Sequence, residues 1–269
     1  MHGSWIPVRK DFADPTTTRC HARSSKGGRH HGFPEGHAWI LRGPDGHEYP
    51  FGLECARAAL AVPGMLDQIP DYTERDAVLR VDAAIDAAMD AAIDAAIGSA
   101  MGGTIGGTIG GASARLPRRK PSAAERELAS RNAATRYVVL RMEKVASVPR
   151  VQPTVRFAAL EDLYQQIVAG RPLSVAQVQR VLAIERSPTT PPKLKSLNLL
   201  DVYTAHVKLE WLIAASSRVD RTRFLRSLHD WLARHLVLST AQIEAAGIVM
   251  HPHAFRSAWP KDEASSGLF

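Results

Sequence analysis

Only two cysteines, Cys20 and Cys55, occur in 269 residues, which excludes a disulfide framework and leaves no Cys-x-x-Cys pair for an ordinary zinc finger. The chain has no phosphate-binding loop, no His-Glu-x-x-His and no Gly-x-Ser-x-Gly, so phosphoryl transfer, zincin-type hydrolysis and serine-elbow catalysis have no motif here. Aromatic residues make up only 6%, against 19 glycines and 17 prolines, so the packed globule is expected to be smaller than the chain. Long apolar runs are lacking too. The uncharged stretch 95–114 has Gly-x-x-x-Gly spacing and a basic flank, as some membrane helices do, but its seven glycines leave it weakly apolar. No membrane partner is expected. The start of the chain shows no cationic end followed by an apolar run and a cleavage site, which points to a cytoplasmic protein with reduced thiols.

What is present is an uneven charge. The net +7 is not spread along the chain: residues 1–75 balance, with nine basic against nine acidic, and 76–114 are acidic, one against five. Residues 115–150 carry ten basic against three acidic, and 151–269 carry fourteen against ten. The central and C-terminal regions are therefore the ones suited to an acidic partner.

The composition divides the chain into four. Residues 1–75 hold six of the eleven histidines and a β-hairpin signal, His37 to Arg42 and His47 to Gly52 around the turn Gly-Pro-Asp-Gly, followed by a short helix from Leu53 to about Val62. Residues 76–121 contain a strict tetrapeptide repeat, Asp-Ala-Ala-Ile and then Gly-Gly-Thr-Ile, expected to be helical at first and a flexible Gly-rich spacer afterwards. Residues 122–250 read as a helical domain. It opens on a Ser122/Glu125 capping box, in a helix with a kink expected near Asn132 and with Leu128, Tyr137, Leu140 and Val145 at buried positions. Residues 251–269 read as a disordered tail apart from Trp259.

The helical domain contains a duplicated unit. The segment from Leu163 to Val178 aligns without gaps to that from Leu228 to Ile243, and both contain Leu-Ser-x-x-Gln. Ser174 and Ser239 are expected as N-caps, Gln177 and Gln242 as their capping-box partners, and Leu173 and Leu238 as staples onto the next turn. The fold class is thus mainly α: a small N-terminal β-hairpin–helix module, an Ala/Gly low-complexity spacer and a C-terminal helical bundle with two helix–turn–helix units.

Two places invite chemistry. Cys55 sits at a helix start after Gly52, where free backbone N–H groups favour a thiolate, and it resembles half of a tetrahedral zinc site. The other half has to come from the histidine-rich loop, giving the set Cys20, His30 or His31, His37 and Cys55; the competing expectation is a small buried cysteine beside solvated histidines. The second place is basic. Arg115, Arg118, Arg119 and Lys120, with Arg218, Arg221, Arg223 and Arg226, are candidates for phosphate contacts with DNA or RNA.

The order cysteine, hairpin, Gly52-x-x-Cys55 and, far downstream, Phe224-x-x-Ser227-Leu228 and Leu238-Ser239-x-x-Gln242 resembles phage- and plasmid-type proteins in which a small Cys-ligated zinc module precedes helices. That resemblance implies zinc as the metal and a mobile element as the setting, and it brings no activity with it. The function expected is that of a non-catalytic, nucleic-acid-associated accessory protein; the alternative is a protein–protein adaptor binding neither nucleic acid nor metal. A thiol enzyme using Cys55 with His37 or His47 is the remaining reading.

Overall fold

The computed structural model describes residues 4–22, 30–75 and 122–259. The tetrapeptide repeat, Arg115, Arg118, Arg119, Lys120 and the last ten residues lie outside the described residues. Among those described, the chain is mainly α with one small antiparallel sheet at the front.

The hairpin forms where Gly-Pro-Asp-Gly predicts it. Strands β2 (His37–Arg42) and β3 (Glu48–Phe51) pair in register, Trp39 opposite Phe51 and Arg42 opposite Glu48, with Gly46 at φ 81°, a conformation that a Cβ would strain. The turn is tied further by the Tyr49 hydroxyl, which donates to Asp45 at 2.5 Å. A third strand, β1 (Ile6–Phe12), pairs antiparallel with β2 and was not visible in the sequence. Its register shifts between Pro7 and Arg9, as suits a proline on an outer strand. The far edge of β1 is covered in places: Lys10 N–H donates to Pro70, and Tyr72 N–H donates to Lys10. Helix α1 (Leu53–Ala59) follows β3 and ends at Leu60, before a 3₁₀ segment, Pro63–Gln68. Ala38, Leu41, Phe51, Ala56, Leu60 and Cys20 form a small core of their own.

The helical domain begins at α2 (Ala123–Val139), and both hydrogen bonds of its capping box are made by Ser122 and Glu125. Asn132 lies within continuous α-helix, which widens into a π turn at Leu140–Lys144, where Val145 N–H donates to Leu140 at 2.9 Å. Tyr137, Leu140 and Val145 are fully buried and Leu128 is half-buried. Then come α3 (Glu161–Val168), α4 (Val175–Arg186), α5 (Ser196–Ala215), α6 (Val219–His235) and α7 (Thr240–Ala246). The capping boxes of α4 and α7 are formed by Ser174 with Gln177 and Ser239 with Gln242, and Leu173 and Leu238 are buried beside them.

Two results run against composition. The stretch 251–259, expected to lack structure, is packed: Phe255 is fully buried and its N–H donates to Asp201 at 2.8 Å, while the Trp259 ring N–H reaches the Leu238 carbonyl. One buried aromatic ring is enough to hold a short polar tail, because it removes on the order of 150 Å² or more from water. The front module, read as separated from the helices by a spacer, is also seated directly on them. Asp11 of β1, only 5% exposed, accepts from Lys144 of the π turn at 2.8 Å, from Arg9 at 3.0 Å and from the Tyr203 hydroxyl of α5 at 2.8 Å. Phe12 packs edge-on against Tyr203 and Trp211 of the same helix.

Burial alone would raise the Asp11 carboxyl, but Lys144 and Arg9 outweigh it and hold the group below the usual aspartate range. Its contribution to stability is therefore complete above the unfolded value of about 3.9 and disappears as pH falls through the lower folded value. Asp11→Asn leaves the buried Lys144 ammonium with only Glu143, at 3.2 Å, as a carboxylate partner and should cost up to about 3–5 kcal/mol in urea unfolding at neutral pH, with less loss of stability on acidification than the parent shows. Phe255→Ala should cost about 3–5 kcal/mol in the same assay, whereas an unpacked tail would register no change.

Candidate metal centre

The loop after β1 carries Cys20, whose backbone N–H donates to the His31 carbonyl at 2.8 Å; the next residue, His21, donates to Pro50 and pins the loop to β3. Cys55 lies in the first turn of α1. These two contacts, with the strand-to-helix turn at Gly52, gather Cys20, His31 and Cys55 so that their two sulfurs and an imidazole nitrogen lie within 4.8 Å of one another. His31 Nε2 stands 3.3 Å from Cys55 Sγ, and Gly52 N–H donates to Cys20 Sγ at 3.4 Å. The other His31 nitrogen, Nδ1, faces the Gly32 carbonyl at 3.1 Å. A carbonyl only accepts, so this contact suits the tautomer with its proton on Nδ1, which turns an Nε2 lone pair to the sulfurs. A Cβ on Gly52 would lie 2.6 Å from the His31 ring, so the close approach of backbone and imidazole requires glycine there.

Zinc bonds of about 2.3 Å to sulfur and about 2.0 Å to nitrogen put tetrahedral S and N donors roughly 3.6 Å apart, close to the His31–Cys55 separation. The donor set fits zinc with three protein ligands, and among the described residues no fourth Cys, His, Asp or Glu joins the cluster. The composition of the set differs from the one expected. His30 Nδ1 is engaged by the Cys20 carbonyl at 2.7 Å, and His37 Nε2 faces Glu35 at 3.2 Å with its ring against Trp39. Adjacent residues in an extended loop point to opposite sides, so only one of His30 and His31 can face the cysteines. The thiolate expected at Cys55 is not favoured either: burial pushes the thiol up, and Cys20 and Glu54 add to the rise. That removes the electrostatic argument for a nucleophilic Cys55.

A second cluster lies in the helical domain. His206 and Glu210 stand one turn apart on α5, and His229 meets them from α6. His206 Nδ1 is 2.7 Å from His229 Nε2, which is 3.3 Å from Glu210 Oε1. Burial, with His229 adding to it, lowers His206 to about 4, and burial lowers His229 against the pull of Glu210, so both rings are neutral at neutral pH. The one usable signal was the His-x-x-x-Glu spacing on one helical face; the partner on α6 has none.

The arginines divide by role. Arg218, Arg223 and Arg226 are exposed, and Arg223 and Arg226 line an open groove with Ser216, Ser217, Thr222 and Ser227. Arg221 is spent: its guanidinium donates to the carbonyls of Ala245 and Ala246 and closes the C-terminal end of α7. The serines and glutamines of both Leu-Ser-x-x-Gln turns are likewise occupied in capping. No described helix is long and apolar enough to cross a membrane. Comparisons of the chain with protein families, with curated proteins and with solved structures found no match.

Proposed function

We propose that this protein is a nucleic-acid-associated accessory protein of a mobile genetic element, acting by phosphate contact rather than catalysis, with a front module held together by zinc on Cys20, His31 and Cys55. The observation that carries the reading is the exposed edge at the start of α6. Arg218, Arg223 and Arg226 are exposed there, and Arg223 and Arg226 line one groove with Ser217 and with Ser216, Thr222 and Ser227, whose hydroxyls donate to backbone carbonyls, so the guanidinium groups are what this edge offers to phosphate oxygens. Of the nearby carboxylates, Asp230 is engaged by Arg150 at 2.6 Å and Asp220 faces Arg223 at 3.7 Å. Because the Leu-Ser-x-x-Gln side chains are consumed by caps, the contact is to backbone phosphates and carries little sequence preference. Zinc, when bound, cross-links the Cys20 loop to α1; the chain itself contributes the two thiols, the Nε2 lone pair of His31 and the glycine that lets them meet.

Fluorescence anisotropy with a short DNA duplex and its single strand, followed over rising salt, tests the arginine edge. Changing Arg218, Arg223 and Arg226 together to Ala should weaken binding uniformly across sequences and flatten the log–log salt slope by up to about three, while leaving the melting temperature unchanged. Absence of binding at low salt, or an unaltered slope in the triple variant, would overturn the assignment. For the front module, Cys55→Ser should release one equivalent of zinc from the purified protein, and Gly52→Ala should weaken zinc binding by at least about tenfold through the displaced His31 ring. Equal zinc content in parent and Cys55→Ser would refute it.

A further inference from the structure

We propose that His206, Glu210 and His229 form a second metal site, distinct from the cysteine cluster, that takes a first-row divalent transition metal through two imidazoles and one carboxylate and leaves coordination positions open to solvent.

The placement is set by the helices. A spacing of four residues puts His206 and Glu210 on one face of α5, and the short connection Ser216 to Arg218 folds α6 back so that His229 meets that face. The backbones beneath are fixed by the core: Ala205 and Leu209 flank the donors on α5, and Leu225, Leu228 and Leu232 do so on α6, all buried. His229 is itself only 5% exposed, whereas the Glu210 side chain is about half exposed, 51%. One side of the cluster is therefore closed by protein and the other faces water, as in metal sites with open positions.

The separations fit. Donors about 2.0 Å from a tetrahedral metal stand roughly 3.3 Å apart, which is the His229–Glu210 separation, 3.3 Å. The two ring nitrogens stand 2.7 Å apart, a hydrogen-bonding distance somewhat shorter than two donors on a shared metal require. Seating a metal between them asks for a ring movement of under about 1 Å, an adjustment that the exposed Glu210 and half-buried His206 allow. Two imidazoles with one carboxylate suit zinc, iron(II), cobalt(II) or nickel(II). They disfavour calcium and magnesium, which take oxygen donors, and copper(I), which takes sulfur. The site holds no thiol, and that separates it experimentally from the cluster at Cys20 and Cys55.

Cobalt(II) is the probe, added to the metal-free full-length protein and followed by absorption and elemental analysis. A thiolate site gives intense sulfur-to-cobalt charge-transfer bands; an imidazole–carboxylate site gives only weak ligand-field bands. The parent should show both, with two equivalents bound. Cys55→Ser should abolish the charge-transfer bands and keep one equivalent with ligand-field bands alone. Glu210→Gln and His206→Ala should each weaken that second equivalent by at least about tenfold and leave the charge-transfer bands intact. Glu210 is exposed, so its variant keeps the fold and tests the site even if Cys55→Ser does not fold. A protein that gains no thiolate-free ligand-field component, or one whose component survives both Glu210→Gln and His206→Ala unchanged, overturns the assignment. A parent protein that shows the ligand-field bands but no charge-transfer bands would count against the front zinc module and leave the second site standing.

Discussion

Asp11 is a carboxylate that the fold takes out of water, and the position of the whole front module follows from how its charge is met. Removing such a group from solvent costs several kcal/mol, which is recovered only when partners are close and well aimed. Three elements supply them: Arg9 within the same strand, Lys144 from the π turn after α2, and the Tyr203 hydroxyl from the middle of α5. The Lys144 ammonium is held in turn between the Tyr72 and Tyr203 rings, at 5.8 and 5.6 Å from their centres. The extra residue of a π turn explains why the chain leaves regular helix there, since it alters which side chains of Leu140–Lys144 face the sheet. With β1 fixed, the pairing of β1 with β2 and β2 with β3 fixes Gly52 and the start of α1, and the Cys20 loop closes over them. The candidate zinc site thus rests, several steps removed, on a buried ion pair on the other outer strand of the sheet.

What the sequence made legible was local. The hairpin turn and the three capping boxes are written in residues three or four apart, and each forms as expected because its energy is decided within one turn of chain. What it hid was long-range. Strand β1 carries Arg9, Lys10 and Asp11 where a half-buried strand normally shows alternating apolar residues, because its inner face is satisfied by an ion pair with a residue 133 positions away. Phe255 lies in a tail that composition reads as disordered, and its place is set by the core and by Asp201, which accepts its N–H. The candidate metal ligands divide in the same way. Cys20 and Cys55 were identifiable as the chain's only thiols, but the choice of His31 over His30 and His37 depends on which side of an extended loop faces the helix. His229 has no sequence signal at all.

The two clusters illustrate different ways of bringing donors together. The cysteine cluster depends on a backbone that comes unusually close, which only the missing Cβ of Gly52 permits, so its geometry is sensitive to loop packing. The histidine cluster depends on two long helices whose buried leucines set the spacing before any donor is considered. Rigid elements hold donors more accurately than loops do. Sulfur donors and an imidazole suit a metal that cross-links, whereas exposed Glu210 beside closed His229 leaves room for exogenous groups.

Formal charge overstates how much of this surface can meet a polyanion. Of the four arginines at the start of α6, Arg221 has both terminal guanidinium nitrogens committed to carbonyls at the end of α7, where the helix dipole is negative. Arg9, Arg75 and Arg141 are likewise consumed by Asp11, Asp201 and the carbonyls of Thr154 and Val155. A cation already paired in a partly buried site releases no counterions on binding phosphate, so it adds nothing to the salt dependence of association. The relevant charge is the fraction facing water, and at the start of α6 that is Arg218, Arg223 and Arg226, the last two lining one open groove. A few exposed cations favour binding that is weak, salt-sensitive and indifferent to base sequence, which is what the phosphate contact proposed for this edge asks of it.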